Sequence, residues 1–132
     1  MILLDTHAMI WWCNGDSQLS PTAAKTISEA VSAGQDICIS AISAWELGML
    51  VKKNRLALNR PVEDWINTVS AIDQVRFIPI TPDIAVASTQ LPGDFHKDPA
   101  DRMIVATARN LGCPVVSADK QIINYDHVET IW

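Results

Sequence analysis

The sequence predicts an α/β fold, a three-layer α/β/α sandwich with a central, mainly parallel five-stranded sheet. Two observations predict it. Five short apolar runs alternate along the chain with helical patterns, and this alternation produces a parallel sheet with right-handed crossover helices on both faces. The 132 residues, 48% of them hydrophobic and 19% charged, suffice for one domain with its own core. We therefore expect a single domain over residues 1–132.

The predicted strands are the five short apolar runs. They span residues 2–4, 36–40, 76–80, 114–117 and 127–131. Ligands of parallel α/β sheets bind beyond the carboxyl ends of the strands. Acidic residues that follow these runs are therefore the first candidates for a functional site.

The helical patterns between the strands mostly begin at a capping residue or at a proline. The pattern over 21–33 has Ser20 as its predicted N-cap and Pro21 in its first turn, and Gly34 is suited to end it. Gly112 is suited to end the last pattern in the same way. The other predicted helices span 7–13, 41–53, 61–72, 82–90 and 99–111, with a loop over 54–60.

The composition argues against several classes of protein. No apolar stretch approaches the roughly 18 residues that span a bilayer. The apolar start of the chain has no basic region and contains Asp5 and His7, which is unlike a signal peptide. The three cysteines are odd in number and show no C-x-x-C spacing, so we interpret them as thiols of a reducing compartment. We expect a cytoplasmic protein that does not enter a membrane.

Two aspartates follow predicted strands. Asp5 comes directly after the first strand, and Asp119 follows the fourth. Either one alone is more simply explained as a turn residue, because aspartate is common in turns. Both, however, belong at the carboxyl edge of a parallel sheet, where a functional site is expected.

A glutamate lies within the apolar stripe of the predicted helix 41–53. The stripe consists of Ile42, Trp45, Met49 and Leu50. Glu46 falls in the middle of it, where an ionised carboxylate costs on the order of several kcal/mol unless it is paired. The alternative is a capping box, because Ser43 precedes Glu46 by three residues.

The segment HKDPADRMIVATA (96–108) contains two aspartates with different expected roles. Asp98 precedes Pro99, and an aspartate N-cap followed by proline commonly begins a helix. Asp101 falls one turn before Ile104 on the apolar face of that helix. The helix dipole favours a carboxylate in the first turn, but it does not explain an inward direction. We expect Asp98 to begin the helix and Asp101 to point into a site.

Together, four of these acids predict a metal site: Asp5, Glu46, Asp101 and Asp119. Two carboxylates ~4 Å apart repel each other by about 4 kcal/mol at an effective dielectric constant near 20, so a cluster of them needs cations. Carboxylate and water ligands select Mg²⁺ or Mn²⁺ over Zn²⁺, and such ions support phosphoryl chemistry. The net charge of −5 argues against binding nucleic acid by bulk electrostatics, but not against a nuclease with such a site.

Four segments of the chain resemble a known family. They are LLDTHAMIWW near the start, SAISAWELGML at 40–50, HKDPADRMIVATA at 96–108 and VVSADKQIINY at 115–125. In this order and spacing they resemble a PIN domain, and more closely the VapC-type ribonuclease toxins of type II toxin–antitoxin pairs. The resemblance implies a PIN-like sandwich and a Mg²⁺- or Mn²⁺-dependent endoribonuclease that cleaves RNA phosphodiesters by metal-activated water. It also implies a homodimer and a cognate antitoxin protein as partner.

The resemblance assigns roles to the four acids. It makes Asp5 and Asp101 the direct metal ligands, and it makes Glu46 and Asp119 ligands either directly or through water. Hydroxyl residues that the family commonly has near the first and fourth acids would orient a carboxylate or a water. They are matched here by Thr6 and Ser117.

The basic residues around the acids have two interpretations. They are His96, Lys97, Arg102 and Lys120. Each is more simply explained by solvation or by an ion pair with a neighbouring acid, and the alternative is contact with an RNA phosphate. Arg102 and Lys120 are the better candidates for phosphate contact because each is adjacent to a proposed ligand. Of the five tryptophans, Trp11 and Trp12 cannot both face inward on one short helix, so one is expected at a partner interface.

Other functions remain as alternatives. A receiver-type signalling domain requires paired acids after the first strand and a phosphorylatable aspartate after the third. Here the first strand is followed by a single acid, and the middle of the chain, LVKKNRLALNR (50–60), has no aspartate. A phosphohydrolase of the aspartyl-phosphate type requires D-x-D after the first strand, where Asp5 is followed by Thr6 and His7. A catalytically silent PIN-fold binding module is the remaining alternative, and the intact acids argue against it.

Overall fold

A computed structural model, which describes residues 1–132, shows five strands alternating with seven helices. The strands are β1 (Ile2–Leu4), β2 (Ile37–Ser40), β3 (Val75–Ile78), β4 (Val115–Val116) and β5 (Thr130–Ile131). The helices are α1 (Thr6–Asn14), α2 (Pro21–Ser32), α3 (Ala41–Lys52), α4 (Val62–Ser70), α5 (Pro82–Thr89), α6 (Pro99–Leu111) and α7 (Lys120–Ile123). No helix is long and apolar enough to cross a membrane.

The five strands form one sheet in the order β3-β2-β1-β4-β5, and every neighbouring pair is parallel. The predicted sheet is therefore confirmed, and it is wholly rather than mainly parallel. The central strand β1 pairs with β2 on one side, where Leu3 is opposite Cys38, and with β4 on the other, where Leu3 is opposite Val115. The chain moves outward from β1 to β2 and β3, then crosses back to β4. The carboxyl ends of β1 and β4 thus flank the point where the strand order reverses, the usual ligand crevice of such sheets.

Two hydrophobic clusters cover the two faces of the sheet, because successive side chains of a strand point to opposite faces. On one face, Ile2 and Leu4 pack with buried residues of α1, α2, α3 and α4. On the other face, Leu3 packs with α6, including Ile104 and Val105. The three-layer α/β/α sandwich is confirmed.

The boundaries of several elements differ from the prediction. Helix α4 ends at Ser70 rather than at residue 72, and the last strand is confined to Thr130–Ile131, which pair with the two residues of β4. Helix α7 was not predicted. Its four residues form one turn with Asp119 as N-cap, and a single turn is too short to produce a helical pattern in the sequence.

The predicted apolar stripe of α3 is wrong at Trp45, which is 59% exposed, whereas Ile42 and Leu50 pack partly against the core. The fully buried residues of α3 are Ser43 and Leu47, one turn apart. Helix α3 contacts α1, α4 and α6 as well as β2. Because its sides are partly covered by other helices, its apolar residues do not have to lie on one stripe, and periodicity alone misplaces the buried face.

Candidate metal centre

The four predicted acids line one cavity at the carboxyl edge of the sheet. The cavity has a volume of about 390 Å³, and no lysine or arginine lines it. Its lining residues are Asp5, Thr6, His7, Trp11, Glu46, Asp98, Asp101, Ala118 and Asp119. The fold thus gathers five carboxylates from the β1–α1 and β4–α7 junctions, from the start of α6 and from α3, with no arginine or lysine among them.

Asp5 is held in place by the junction between β1 and α1. It is the N-cap of α1, where its Oδ1 accepts a hydrogen bond of 2.9 Å from the backbone N–H of Ala8. Its Oδ2 accepts a hydrogen bond from the hydroxyl of Ser117. Only 7% of Asp5 is exposed, and this burial raises the pKa of its carboxyl, while the two hydrogen bonds oppose the rise. Both oxygens therefore have fixed directions.

Asp119 is linked to the same hydroxyl. The Oγ of Ser117 accepts a 3.0 Å hydrogen bond from the backbone N–H of Asp119, and Asp119 itself caps α7 by accepting 2.8 Å from the backbone N–H of Gln121. The hydroxyl of Ser117 thus connects the first acid to the backbone of the fourth. This contact gives a physical reason for a serine two residues before Asp119.

Glu46 is oriented by Thr6. The hydroxyl of Thr6 donates a 2.5 Å hydrogen bond to Glu46 Oε1 and lies 2.9 Å from the hydroxyl oxygen of Ser43. The alternative of a capping box between Ser43 and Glu46 is wrong, because the N-cap of α3 is Ser40, whose Oγ accepts from the backbone N–H of Ile42. Burial raises the pKa of Glu46, and the hydrogen bond from Thr6 opposes the rise.

Asp98 and Asp101 have the two different positions that helical phase predicts. Asp98 is the N-cap of α6 and accepts 2.9 Å from the backbone N–H of Asp101, which confirms the predicted cap. Asp101 is directed into the cavity with 19% of its side chain exposed. Burial raises the pKa of Asp101 to about 8, with further contributions from Asp98 and then from Asp119, Glu46 and Asp5. Asp98 also lines the cavity, so its role is not confined to the cap.

His96, one of the basic residues that the sequence places around the acids, contacts Asp101 without itself lining the cavity. Its Nε2 lies 3.0 Å from Asp101 Oδ2, which agrees with the interpretation as an ion-pair partner of a neighbouring acid. Together with a carboxylate oxygen of Asp119, these atoms all lie within 4.8 Å of one another. In the sequence, the feature that indicates this position is that His96 stands two residues before Asp98, the N-cap of α6.

His7 and Trp11 also line the cavity, and neither was predicted. Their rings lie 5.5 Å apart, because residues four apart on α1 share one face. Once Asp5 is recognised as the N-cap of α1, this spacing places His7 and Trp11 beside the acids. Both Trp11 and Trp12 pack partly against the core, so the exposed tryptophan is Trp45 rather than either of them.

The predicted phosphate contacts are not brought to the cavity. Arg102 donates to the backbone carbonyls of Ser88 (2.8 Å), Phe95 (2.9 Å) and His96 (3.2 Å), and it does not line the cavity. Lys120 is exposed and does not line the cavity, and neither does Lys97. Phosphate contact by Arg102 or Lys120 stays a prediction, and the geometry of Arg102 favours a structural role.

The donor set of the cavity fits a hard divalent cation. Five carboxylates without arginine or lysine repel one another, and this repulsion contributes to the raised pKa of Asp101. In addition, Nε2 of His96 is closed off from solvent and makes no hydrogen bond, although it lies 3.0 Å from Asp101 Oδ2. A cation among these atoms would neutralise the repulsion and use the unpaired nitrogen.

The model of the PIN domain family matches residues 2–128. The chain belongs to the PIN domain family. Among curated proteins, this PIN domain is similar to Ribonuclease VapC22 of Mycobacterium tuberculosis (strain ATCC 25618 / H37Rv), with 35% identity over 133 residues that cover 99% of this chain and 98% of that protein. This relationship places the PIN domain within the VapC group.

Solved structures with the same fold include toxin–antitoxin complexes. VapBC2 from Rickettsia felis, bound to a DNA fragment from its promoter, contains a chain with a TM-score of 0.70 and 14% identity, covering 98% of this PIN domain and 97% of that chain. A toxin–antitoxin complex from Klebsiella pneumoniae gives a TM-score of 0.65 with 24% identity and coverage of 97% and 95%. At these identities the likeness shows the PIN-like fold.

Proposed function

We propose that this PIN domain is a Mg²⁺- or Mn²⁺-dependent endoribonuclease and the toxin of a toxin–antitoxin pair. The observation that carries the proposal is the convergence of Asp5, Glu46, Asp101 and Asp119 on one cavity at the carboxyl edge of the sheet. The 35% identity to Ribonuclease VapC22 over almost the whole chain supports RNA as the substrate.

All four acids would take part in coordinating the cation. Asp5 and Asp101 are the proposed direct ligands, and Glu46 and Asp119 would bind directly or through water. A bound Mg²⁺ or Mn²⁺ lowers the pKa of water and neutralises charge on a phosphate under attack, which is the chemistry that RNA hydrolysis requires. Carboxylate donors are suited to both ions.

The chain's own contribution is to hold the carboxylates in fixed directions before substrate arrives. Ser117 and the backbone N–H of Ala8 fix both oxygens of Asp5, and Thr6 fixes one oxygen of Glu46. Prepositioned groups of this kind lose little freedom when the reaction begins. Because no arginine or lysine lines the cavity, the attraction for an anionic phosphate has to come from the cation.

We further propose that the protein acts in the cytoplasm, forms a homodimer and is bound by a cognate antitoxin. The fold it shares with chains of toxin–antitoxin complexes supports an antitoxin partner. Two apolar side chains, Trp45 on α3 and Val86 on α5, are 59% and 54% exposed and are candidates for burial at such interfaces. An antitoxin segment with basic and apolar residues would complement the acidic cavity.

RNA cleavage by the purified protein tests the enzymatic proposal. A mixed pool of bacterial RNA should be cut in the presence of Mg²⁺ or Mn²⁺, and excess chelator should stop the cutting. Asp101→Asn should reduce the rate by at least about 100-fold, on the scale seen for loss of one electrostatic group in an active site. Asp83→Asn is the matched control, because Asp83 is an exposed aspartate in the first turn of α5 and should cut at the wild-type rate.

Two outcomes would contradict the proposal. Normal cutting by both Asp101→Asn and Asp5→Asn would show that the acidic cavity is not the active site. Tight binding of Mn²⁺ by the wild type without cleavage of any RNA would instead indicate the catalytically silent binding module.

A further inference from the structure

We propose that His96 is a nitrogen ligand of the cation in this cavity and that the site therefore binds Mn²⁺ in preference to Mg²⁺. The inference rests on the proposed function and specifies the metal of that same site. The resemblance to the family assigns four acids as metal ligands, and His96 is not among them.

The positions of the donor atoms support a shared cation. The Nε2 of His96 is 3.0 Å from Asp101 Oδ2, and both lie within 4.8 Å of a carboxylate oxygen of Asp119. Two ligand atoms at right angles on an octahedral ion, each about 2.1 Å from it, are themselves about 3.0 Å apart. The separation of His96 and Asp101 is thus the one that adjacent ligands of a small divalent ion adopt.

Apart from its contact with Asp101 Oδ2, the Nε2 of His96 has no polar partner. Although 27% of the side chain of His96 is exposed, its Nε2 is closed off from solvent and forms no hydrogen bond. A buried polar atom that forms no hydrogen bond is uncommon because it loses its hydration, and here only the nearby Oδ2 of Asp101 compensates for that loss. Nε2 lies near the carboxylates of Asp101 and Asp119. A cation bound between these groups would give the nitrogen a partner.

The ring of His96 is held in this direction by contacts outside the cavity. Its edge packs on Phe95 with ring centroids 4.6 Å apart, and Phe95 packs in turn on Tyr125 at 4.8 Å. Arg102 fixes the backbone on either side by donating to the carbonyls of Phe95 and His96. These contacts restrict the ring independently of Asp101.

The identity of the preferred metal follows from the donor types. Mg²⁺ favours oxygen ligands and retains water, whereas Mn²⁺ accepts imidazole nitrogen more readily as a first-row transition metal. A site with carboxylates alone would bind the two ions through the same atoms. The addition of one imidazole favours Mn²⁺.

Pulsed electron paramagnetic resonance of the Mn²⁺-loaded protein tests the inference without any measurement of activity. Nitrogen bound to Mn²⁺ produces a ¹⁴N coupling in the electron spin echo. The chain has three histidines, so each can be replaced in turn. We expect the coupling in the wild type, in His7→Gln and in His127→Gln, and its loss in His96→Gln. His7 lines the cavity and His127 is exposed outside it, so they serve as near and distant controls.

Calorimetric titration of the same variants supplies a second readout. His96→Gln should weaken Mn²⁺ binding by about tenfold or more, the range found when the supporting groups of a metal site are removed, and should weaken Mg²⁺ binding by less than about threefold. Metal-free thermal unfolding of each variant verifies that the fold is retained.

The outcomes separate this inference from the proposed function. Mn²⁺ binding without ¹⁴N coupling, a coupling that persists in His96→Gln, or equal weakening of both ions in that variant overturns the role of His96 and leaves the acidic site standing. Absence of any Mn²⁺ or Mg²⁺ binding by the wild type overturns both.

Discussion

The hydroxyl of Ser117 donates a hydrogen bond to Oδ2 of Asp5 and at the same time accepts one from the backbone N–H of Asp119 at 3.0 Å. It therefore joins the ends of β1 and β4, the two strands at which the strand order of the sheet reverses. Ser117 is fully buried, and so is most of Asp5. The first and fourth acids are coupled through one side chain that carries no charge.

Ser117→Ala should lower both the stability and the metal affinity of the protein. The substitution leaves a buried oxygen of Asp5 and the N–H of Asp119 without partners, which costs about 1–3 kcal/mol of unfolding free energy. The carboxylate of Asp5 becomes free to turn, and Mn²⁺ affinity should fall by about tenfold. Urea unfolding of the metal-free protein and calorimetric Mn²⁺ titration measure the two effects.

The control for this substitution is Ser32→Ala, at an exposed serine near the end of α2, which should change the unfolding free energy by less than about 0.5 kcal/mol. If Ser117→Ala matched this control in stability and bound Mn²⁺ as tightly as the wild type, the coupling between Asp5 and Asp119 would have no energetic role.

Most of the sheet and the four acids of the site were predictable because local rules determine them. Residues after parallel strands gather at one edge, which brings Asp5 and Asp119 together, and helical phase distinguishes Asp101 from Asp98. These rules depend only on spacing along the chain. They require no knowledge of which helices touch.

Other features were not predictable because they depend on contacts between distant segments. Trp45 is exposed because the elements that pack on α3 bury Ser43 and Leu47 and leave the side of Trp45 uncovered. The sequence places His96 near Asp101, but the contact of its ring with the Asp101 carboxylate depends on packing by Phe95 and Tyr125 and on the backbone bonds of Arg102. Side-chain direction set by tertiary packing leaves no periodic signal in the sequence.

Asp101→Asn should make the metal-free protein more stable at neutral and alkaline pH. Burial and neighbouring carboxylates raise the pKa of Asp101 to about 8 from its ordinary value of 3.8. Between these two values the folded state holds a proton that the unfolded state has released, so the free energy of unfolding falls as pH rises and is lowest above pH 8. Burial raises the pKa of Asp5 and of Glu46 too, so their contributions have the same direction.

Comparing the free energy of unfolding of Asp101→Asn with that of the wild type gives the contribution of Asp101 alone, separate from those of Asp5 and Glu46. One pKa unit corresponds to about 1.4 kcal/mol, and solvent that reaches the partly exposed side chain weakens the repulsion, so we expect the variant to gain about 2 kcal/mol at pH 8. The gain should shrink towards zero near pH 4, where both states of the wild type hold the proton. Chelator-treated protein unfolded in urea at several pH values provides the measurement; equal stability of the two proteins at pH 8 would show that Asp101 is not electrostatically strained.

Addition of Mn²⁺ should make the wild type more stable than Asp101→Asn, the reverse of the order expected without metal. A ligand that binds only the folded state at 100 times its dissociation constant raises the free energy of unfolding by about 2.7 kcal/mol. The wild type should gain this stabilisation, and Asp101→Asn should gain little of it because it lacks a proposed ligand. Thermal unfolding with Mn²⁺ and with chelator measures both shifts, and equal shifts in the two proteins would place the cation elsewhere.

Substitutions of Asp98 should separate its cap from its charge. Asp98→Ala removes the acceptor for the backbone N–H of Asp101 and should cost about 0.5–2 kcal/mol of stability. Asp98→Asn keeps an acceptor at the N-cap but removes the charge that raises the pKa of Asp101, so the helix should remain stable while that pKa falls. Carbon-13 NMR titration of Asp101 reports the pKa, and its fall in Asp98→Asn should be smaller in high salt because Asp98 is exposed. A loss of stability in Asp98→Asn as large as that in Asp98→Ala would contradict this separation.

Arg102→Lys should show whether the arginine holds the loop around His96 or contacts RNA. The guanidinium bonds three carbonyls of Ser88, Phe95 and His96 from its Nε and Nη1 atoms, a geometry that the single ammonium of lysine cannot reproduce. If the role is structural, the unfolding free energy should fall by about 2 kcal/mol, since hydrogen bonds from charged donors contribute most where they are shielded from water. The ring of His96 should then be less well fixed.

The same variant should consequently bind Mn²⁺ more weakly by about tenfold, through a residue that does not itself line the cavity. Phosphate contact predicts the opposite pattern, in which KM for RNA rises while the stability and the Mn²⁺ affinity are unchanged. Arg55→Lys, at an exposed arginine after α3, controls for the loss of a guanidinium and should leave all three quantities at wild-type values. A rise in KM alone for Arg102→Lys would restore the phosphate contact and remove the support that His96 receives from this side chain.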